Sequence, residues 1–92
     1  MTAQPARITR IAAEIVAVTY GVSEDDIFSQ SHKPDHVRAR DKLAYLLRQR
    51  SKSYRWIGEQ IGRDHTSVMD AVRRETHRLA SLGLCWTQEA SK

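Results

Sequence analysis

Residues 54–74 read YRWIGEQIGRDHTSVMDAVRR, and this stretch decides the fold. Tyr54 to Ile61 has the spacing of a short helix that buries Trp56 or Ile57 together with Ile61, and Gly62 stops it. Asp64 then starts a second helix that continues to roughly Leu79, with Val68, Ala71, Val72 and Leu79 facing inward. Two helices joined by a short glycine turn make a helix-turn-helix. In that motif the second helix enters the major groove of DNA and its first residues reach base edges. Asp64, His65, Thr66 and Ser67 occupy those positions here. All four donate or accept hydrogen bonds, and the Thr66 methyl suits a thymine methyl. Arg63 stands just ahead, placed for a phosphate, where free amides and the helix dipole also favour an anion. The plainer reading is that Asp64 only caps the helix and Thr66 and Ser67 fill its first turn.

Outward from this motif the pattern stays helical. A first helix is expected from about Pro5 to Tyr20, with Ile8, Ile11, Ala12, Ile15 and Val18 or Thr19 as its apolar stripe and Gly21 as its stop. Ser23, followed by Glu24, Asp25 and Asp26, opens a short helical turn through Ile27 and Phe28. After a polar connector, Ser29 to Pro34, Asp35 is the expected cap of a helix ending near Gln49. Val37, Leu43, Ala44, Leu46 and Leu47 form its core face, and Arg38, Lys42 and Arg48 its exposed face. Ser53 caps the helix that begins the quoted segment. The expected architecture is a small all-α domain of four main helices plus a short helical turn, over residues 1–80, with a tail at 81–92.

Composition narrows the functional classes. The chain has 92 residues, 40% hydrophobic and 28% charged, enough for one small core and too few for a cleft between two lobes. No apolar run is long enough to span a membrane, and Arg7, Arg10 and Glu14 interrupt the N-terminal apolar stretch that a signal peptide would keep whole. A single cysteine, Cys85, makes no internal disulfide, which fits a cytoplasmic protein. Net charge is +4, and it is concentrated: residues 32–74 hold eleven Lys/Arg against five acids, the remainder four against six. A basic middle of this kind attracts polyanions, above all nucleic acid, although a solvated helical face has the same composition.

The residues Trp56-Ile57-Gly58 and Ile61-Gly62-Arg63-Asp64-His65-Thr66-Ser67-Val68 resemble the signature of the C-terminal DNA-binding domain of the bacterial replication initiator DnaA. Tyr20-Gly21-Val22, Asp26-Ile27, Val37-Arg38-Ala39-Arg40 and Ala44-Tyr45-Leu46-Leu47 agree in order and spacing, so the resemblance covers about Ile8 to Leu79. It implies a Trp-repressor-like all-α fold and recognition of double-stranded DNA at DnaA-box-like sites. Asp64, His65, Thr66 and Ser67 match the family's major-groove readers, and Arg38 its minor-groove arginine. Arg40, Lys52 and Arg63 match or adjoin phosphate-holding positions, and Lys33 and Arg55 belong to the same expected phosphate set. Three departures bear on the box sequence. Only Gly62 precedes Arg63, where the family usually has two glycines; Asp41 replaces a common glutamine and is expected to add negative charge near the DNA backbone; Arg55 replaces a proline or small residue. No G-x-x-x-x-G-K-[ST] phosphate loop occurs, so no nucleotide site is expected by the route the full initiator uses. The resemblance thus implies a non-catalytic, nucleoid-associated reader in replication initiation, its regulation or transcription control. A competitor for initiator sites or a phage factor would fit as well.

Rival readings have less in their favour. His32 and His36 are four apart, but Pro34 lies between them and no third ligand is near, so no metal is expected, and no other cofactor. His65 beside Asp64 has no nucleophile to serve, so no catalytic residue is expected. A helical adaptor docking an acidic protein shares the charge pattern but gives no reason for Gly-Arg-Asp-His-Thr-Ser at a helix start. An RNA reader would bind single strands or A-form duplexes, whose deep major groove does not admit a helix. Leu82, Leu84, Cys85 and Trp86 offer an apolar patch that folds back on the core, the preferred reading, or serves a protein partner or self-association through the tail.

Overall fold

Local signals set where each helix begins and ends. In the computed structural model, which describes residues 6–83, the elements are α1 (Arg7–Tyr20), α2 (Glu24–Phe28), α3 (Pro34–Gln49), α4 (Tyr54–Ile61) and α5 (His65–Ser81), and no strand occurs among the described residues. Gly21 ends α1 in the left-handed conformation at φ 68°, with its amide donating to Ala17 O. Ser23 and Asp26 form the expected capping box on α2: the Asp26 amide donates to Ser23 Oγ at 3.0 Å and the Ser23 amide to Asp26 Oδ2 at 3.5 Å. Ser53 Oγ accepts from the Trp56 amide at 3.0 Å and starts α4. At α3 the expectation fails by two residues. Lys33 is the N-cap and Pro34 the first helical residue, so Asp35 lies inside the first turn, where its charge complements the helix dipole.

The core runs along α3. Ala39, Leu43, Ala44 and Leu47 are fully buried there, against Ala13 and Val16 of α1, Ile27 of α2, Ile57 and Ile61 of α4, and Val68 and Ala71 of α5. Val37 and Leu46 are only partly buried, as are Val72 and Leu79 of α5. Trp56 is half-buried too, so Ile57 is the residue that α4 commits to the core.

α1 corrects the sequence reading most sharply. Its buried side is Thr9, Ala13, Val16 and Ala17, whereas Ile11, Ile15 and Val18 are 50%, 58% and 84% exposed. At about 3.6 residues per turn the two sets lie on opposite sides of the helix. The inward set is the smaller one, Val16 being its largest member, and it packs against the core centred on α3. A polar pin fixes the rotation: Gln60 Oε1 of α4 accepts from the Thr9 hydroxyl and from the Ala6 amide, each at 2.7 Å.

The turn between α4 and α5 is equally constrained. Gly62 ends α4 at φ 72°, and the Arg63 amide donates to Gly58 O at 2.9 Å. This folds the chain back so tightly that a Cβ on Gly58 would lie 2.4 Å from the Arg63 carbonyl oxygen. Gly58→Ala would ordinarily gain about 1 kcal/mol of helix propensity. Here it is expected to lower unfolding free energy by about 1–3 kcal/mol through overpacking, measured by urea denaturation.

Candidate nucleic-acid interface

The turn holds the start of α5 clear of the rest of the domain. Asp64, His65, Thr66 and Ser67 are all exposed, and the side chains of His65 and Thr66 make no hydrogen bond to another described residue. Asp64 does cap the helix: its Oδ1 accepts from the Ser67 amide at 2.9 Å. That bond and a second from the Ser67 side chain hold its carboxyl below the ordinary aspartate range. The capping and reading roles are compatible, since a carboxylate keeps a second oxygen for an external donor.

The cations of the expected contact set fall into two groups, one without an ion pair and one engaged within the domain. Lys33, Arg38 and Arg55 are exposed and form no ion pair within the described residues. Lys52 lies with its ammonium 4.9 Å from the centre of the Trp56 ring, and Arg48 with its guanidinium 4.3 Å from that of Tyr54. Lys52 and Arg55 sit at the start of α4 with no acid in its first turn, opposite to what the helix dipole prefers. An external anion would relieve that arrangement.

The second group is engaged internally. Arg63 donates from Nη1 to Gln30 Oε1 at 2.6 Å and from Nη2 to Ser29 O at 2.9 Å. Arg40, expected on a phosphate, is buried instead at 7% exposure. It donates from Nε to Ile27 O at 2.8 Å, and from Nη2 to Ser29 O at 3.0 Å and Asp26 O at 3.3 Å. Ile27 O and Ser29 O lie at the end of α2 without an amide donor of the helix, and a long forked side chain from α3 supplies one; Asp26 O accepts from the Ser29 amide and hydroxyl as well. Burial and the nearby Arg63 charge lower the pKa of Arg40. A cleft of about 320 Å³ beside this end of α5 is lined by His32, Arg40, Arg63, Ser67 and Arg74, among others.

Asp41 is corrected as well. It is buried rather than turned to the backbone of DNA, and it accepts from Arg74 Nε at 3.0 Å and Nη2 at 2.9 Å, with Arg78 Nη2 at 3.6 Å. That bond raises the pKa of Arg74. Glu75, also buried, pairs with Arg78 and, at 3.5 Å, with Lys42. Sequence reasoning missed this clamp between α3 and α5. The signal was present: Asp41 falls in register with Val37 and Ala44, and Glu75 with Val68 and Ala71, so each carboxylate stands where an apolar residue is expected.

His36 Nδ1 lies 2.8 Å from Ser31 Oγ and Nε2 3.4 Å from Asp26 Oδ2, and the described residues contain no group of three or more metal-ligating side chains. His77 is exposed on α5. Leu82 is 67% exposed, while Leu84, Cys85 and Trp86, the expected apolar patch, lie outside the described residues, as does Pro5.

The family profile described as bacterial dnaA protein helix-turn-helix matches residues 9–74. The chromosomal replication initiator protein DnaA 1 of Chlamydia muridarum is 36% identical over 76 residues, which cover 82% of this chain and 16% of that protein. The chromosomal replication initiator protein DnaA of Mycoplasma genitalium is 39% identical over 62 residues, 66% of this chain and 14% of its own length. The chain therefore spans about a sixth of the length of the curated relatives it matches. No solved structure is a significant match.

Removing Asp41 leaves Arg74 without its acceptor, and Arg74 is half-exposed, so water recovers part of the loss. Asp41→Ala is expected to cost about 1–3 kcal/mol of stability, at or below the usual range for a broken buried pair. In an Arg74→Ala background the cost shrinks, and a double-mutant cycle in urea reads the coupling.

Proposed function

This chain belongs to the family of bacterial DnaA helix-turn-helix domains, and from that membership and the geometry of α5 we propose that it binds double-stranded DNA sequence-specifically, at DnaA-box-like sites. The start of α5 enters the major groove, where Asp64, His65, Thr66 and Ser67 read base edges. Arg38, exposed on the first turns of α3, enters the adjacent minor groove, where narrow A·T-rich DNA concentrates negative potential. Lys33, Lys52, Arg55 and Arg63 hold phosphates and set the register. Arg40 acts behind them, bracing the connector that carries Lys33. The observation that carries this reading is the exposed first turn of α5, where the side chains of His65 and Thr66 have no hydrogen-bond partner among the described residues; exposed Lys33, Arg38 and Arg55, without an ion pair there, support it.

The activity proposed for these residues is binding without catalysis, cofactor or nucleotide, on the nucleoid in the cytoplasm. The relatives are initiators of chromosomal replication by name, so a role in replication initiation, its regulation or transcription control at such sites is the corresponding proposal.

Fluorescence anisotropy near physiological salt, about 150 mM, tests it with a duplex carrying TTATCCACA and a scrambled duplex of equal composition. The expected preference is tenfold or more, about 1.4 kcal/mol. Equal affinity for both overturns the box reading, and absence of binding overturns DNA recognition altogether. His65→Ala is expected to cost about 1–3 kcal/mol on the preferred site and little on the scrambled one. Arg55→Ala should weaken both duplexes alike and reduce the slope of log affinity against log salt by about one.

A further inference from the structure

The outward side of α1 is an apolar line that nothing in the described fold covers. Ile11, Ile15 and Val18 are spaced four and three apart, so they run along one face of the helix for about 10 Å. Ile8, half-buried and packed in part against the core, adjoins the line one turn earlier. Single exposed aliphatics are ordinary, but a contiguous row on one helix face marks an interaction surface.

The charges along this face show what fits it. Arg7 and Arg10 occupy the first turns of α1 and Glu14 follows one turn later, and none forms an ion pair within the described residues. For their own helix these positions are poor, because cations at the N-terminus oppose the dipole and arginine preceding glutamate is the weaker order for a pair four apart. For a second copy of α1 running antiparallel they are complementary. A two-fold axis near residue 13 sets Ile11 against Ile15 of the second copy and Ile8 against Val18, each contact occurring twice. The same axis leaves Arg10 two residues, about 3 Å, out of step with Glu14 of the second copy, an offset a long guanidinium side chain spans, again twice. A parallel arrangement would instead set Arg7 and Arg10 against their own duplicates. Arg7, Arg10, Ile11 and Glu14 also outline a surface notch of about 260 Å³.

We propose that the outer face of α1 is an isologous interface that takes the same face of a second copy of this chain in antiparallel orientation. Its aliphatic row is smaller than the roughly 800 Å² per partner of a standard interface, so the dimer is weak in free solution. It strengthens when two copies are held near each other on one duplex. No residue of this face belongs to the proposed DNA-contacting set, so the dimer does not depend on the DNA reading.

Sedimentation velocity of the full chain without DNA, up to about 0.5 mM, tests it, since dimers of millimolar or tighter affinity then become visible. The expected result is a concentration-dependent monomer–dimer equilibrium that Ile15→Glu weakens by about tenfold or more without changing the far-ultraviolet circular dichroism. Arg10→Glu and Glu14→Arg should each weaken it, and the two together on one chain should restore it. A monomer at every concentration overturns the proposal and leaves the face to another occupant. A dimer indifferent to Ile15→Glu, or one that the double charge exchange fails to restore, overturns it equally.

Discussion

A carbonyl oxygen resting where residue 58 would otherwise carry a side chain is the constraint from which the rest of the domain follows. Because the Arg63 oxygen occupies that space, α4 must carry glycine there, and the chain must reverse through the left-handed Gly62. Once the reversal is fixed, α5 can only leave in one direction, and its first turn projects from the body of the protein. α4 is itself set against α1 through Gln60 and against the core through Ile57 and Ile61. The exposed start of α5 is therefore carried on packed helices rather than on a loop. Preorganisation of that kind lowers the entropy cost of any contact made there.

Electrostatics complete the arrangement by dividing the cations. Lys42, Arg74 and Arg78 are drawn to two buried carboxylates, one on α3 and one on α5, and Arg40 to the carbonyls of α2. Buried ion pairs of this type are weak contributors to stability when compared with apolar packing, but they tie the two helices in one register. Lys33, Arg38 and Arg55 remain exposed without an ion pair among the described residues. The positive charge concentrated in the middle of the sequence is thus divided between internal clamps and free surface cations.

Helix boundaries were legible because they depend on neighbours in sequence. Gly21, Ser23, Ser53, Gly62 and Asp64 act within three or four residues of themselves, and the structure has each of them at the expected helix end. Helix faces were less so. For α1 the aliphatic row looked like core, yet Thr9, Ala13, Val16 and Ala17 are the buried set, and Thr9 is held inward by Gln60 of α4, 51 residues away in sequence. Asp41 and Arg74 lie 33 residues apart, and so do Glu75 and Lys42, so nothing local announces their meeting. Arg40 was expected on a phosphate because the family resemblance matches it to, or beside, a phosphate-holding position; its inward course depends on where α2 ends, a tertiary fact. The polar quartet at the start of α5 was legible in position, because one glycine turn and one cap determine it.

The carbonyl of Ser29 receives two guanidinium groups of unequal standing. One, from Arg40, is buried and makes its hydrogen bonds to backbone carbonyls, whereas the other, from Arg63, is only partly buried and has its remaining bond to the exposed amide of Gln30. The connector between α2 and α3 is thus doubly tethered, with one permanent anchor and one exchangeable one. An anion arriving at the rim can take over the hydrogen bonds of Arg63 while Arg40 keeps the connector in place. Arg63 is thus a cation held against the protein's own backbone, oriented and partly desolvated, and exchanging its partners requires no helix to move.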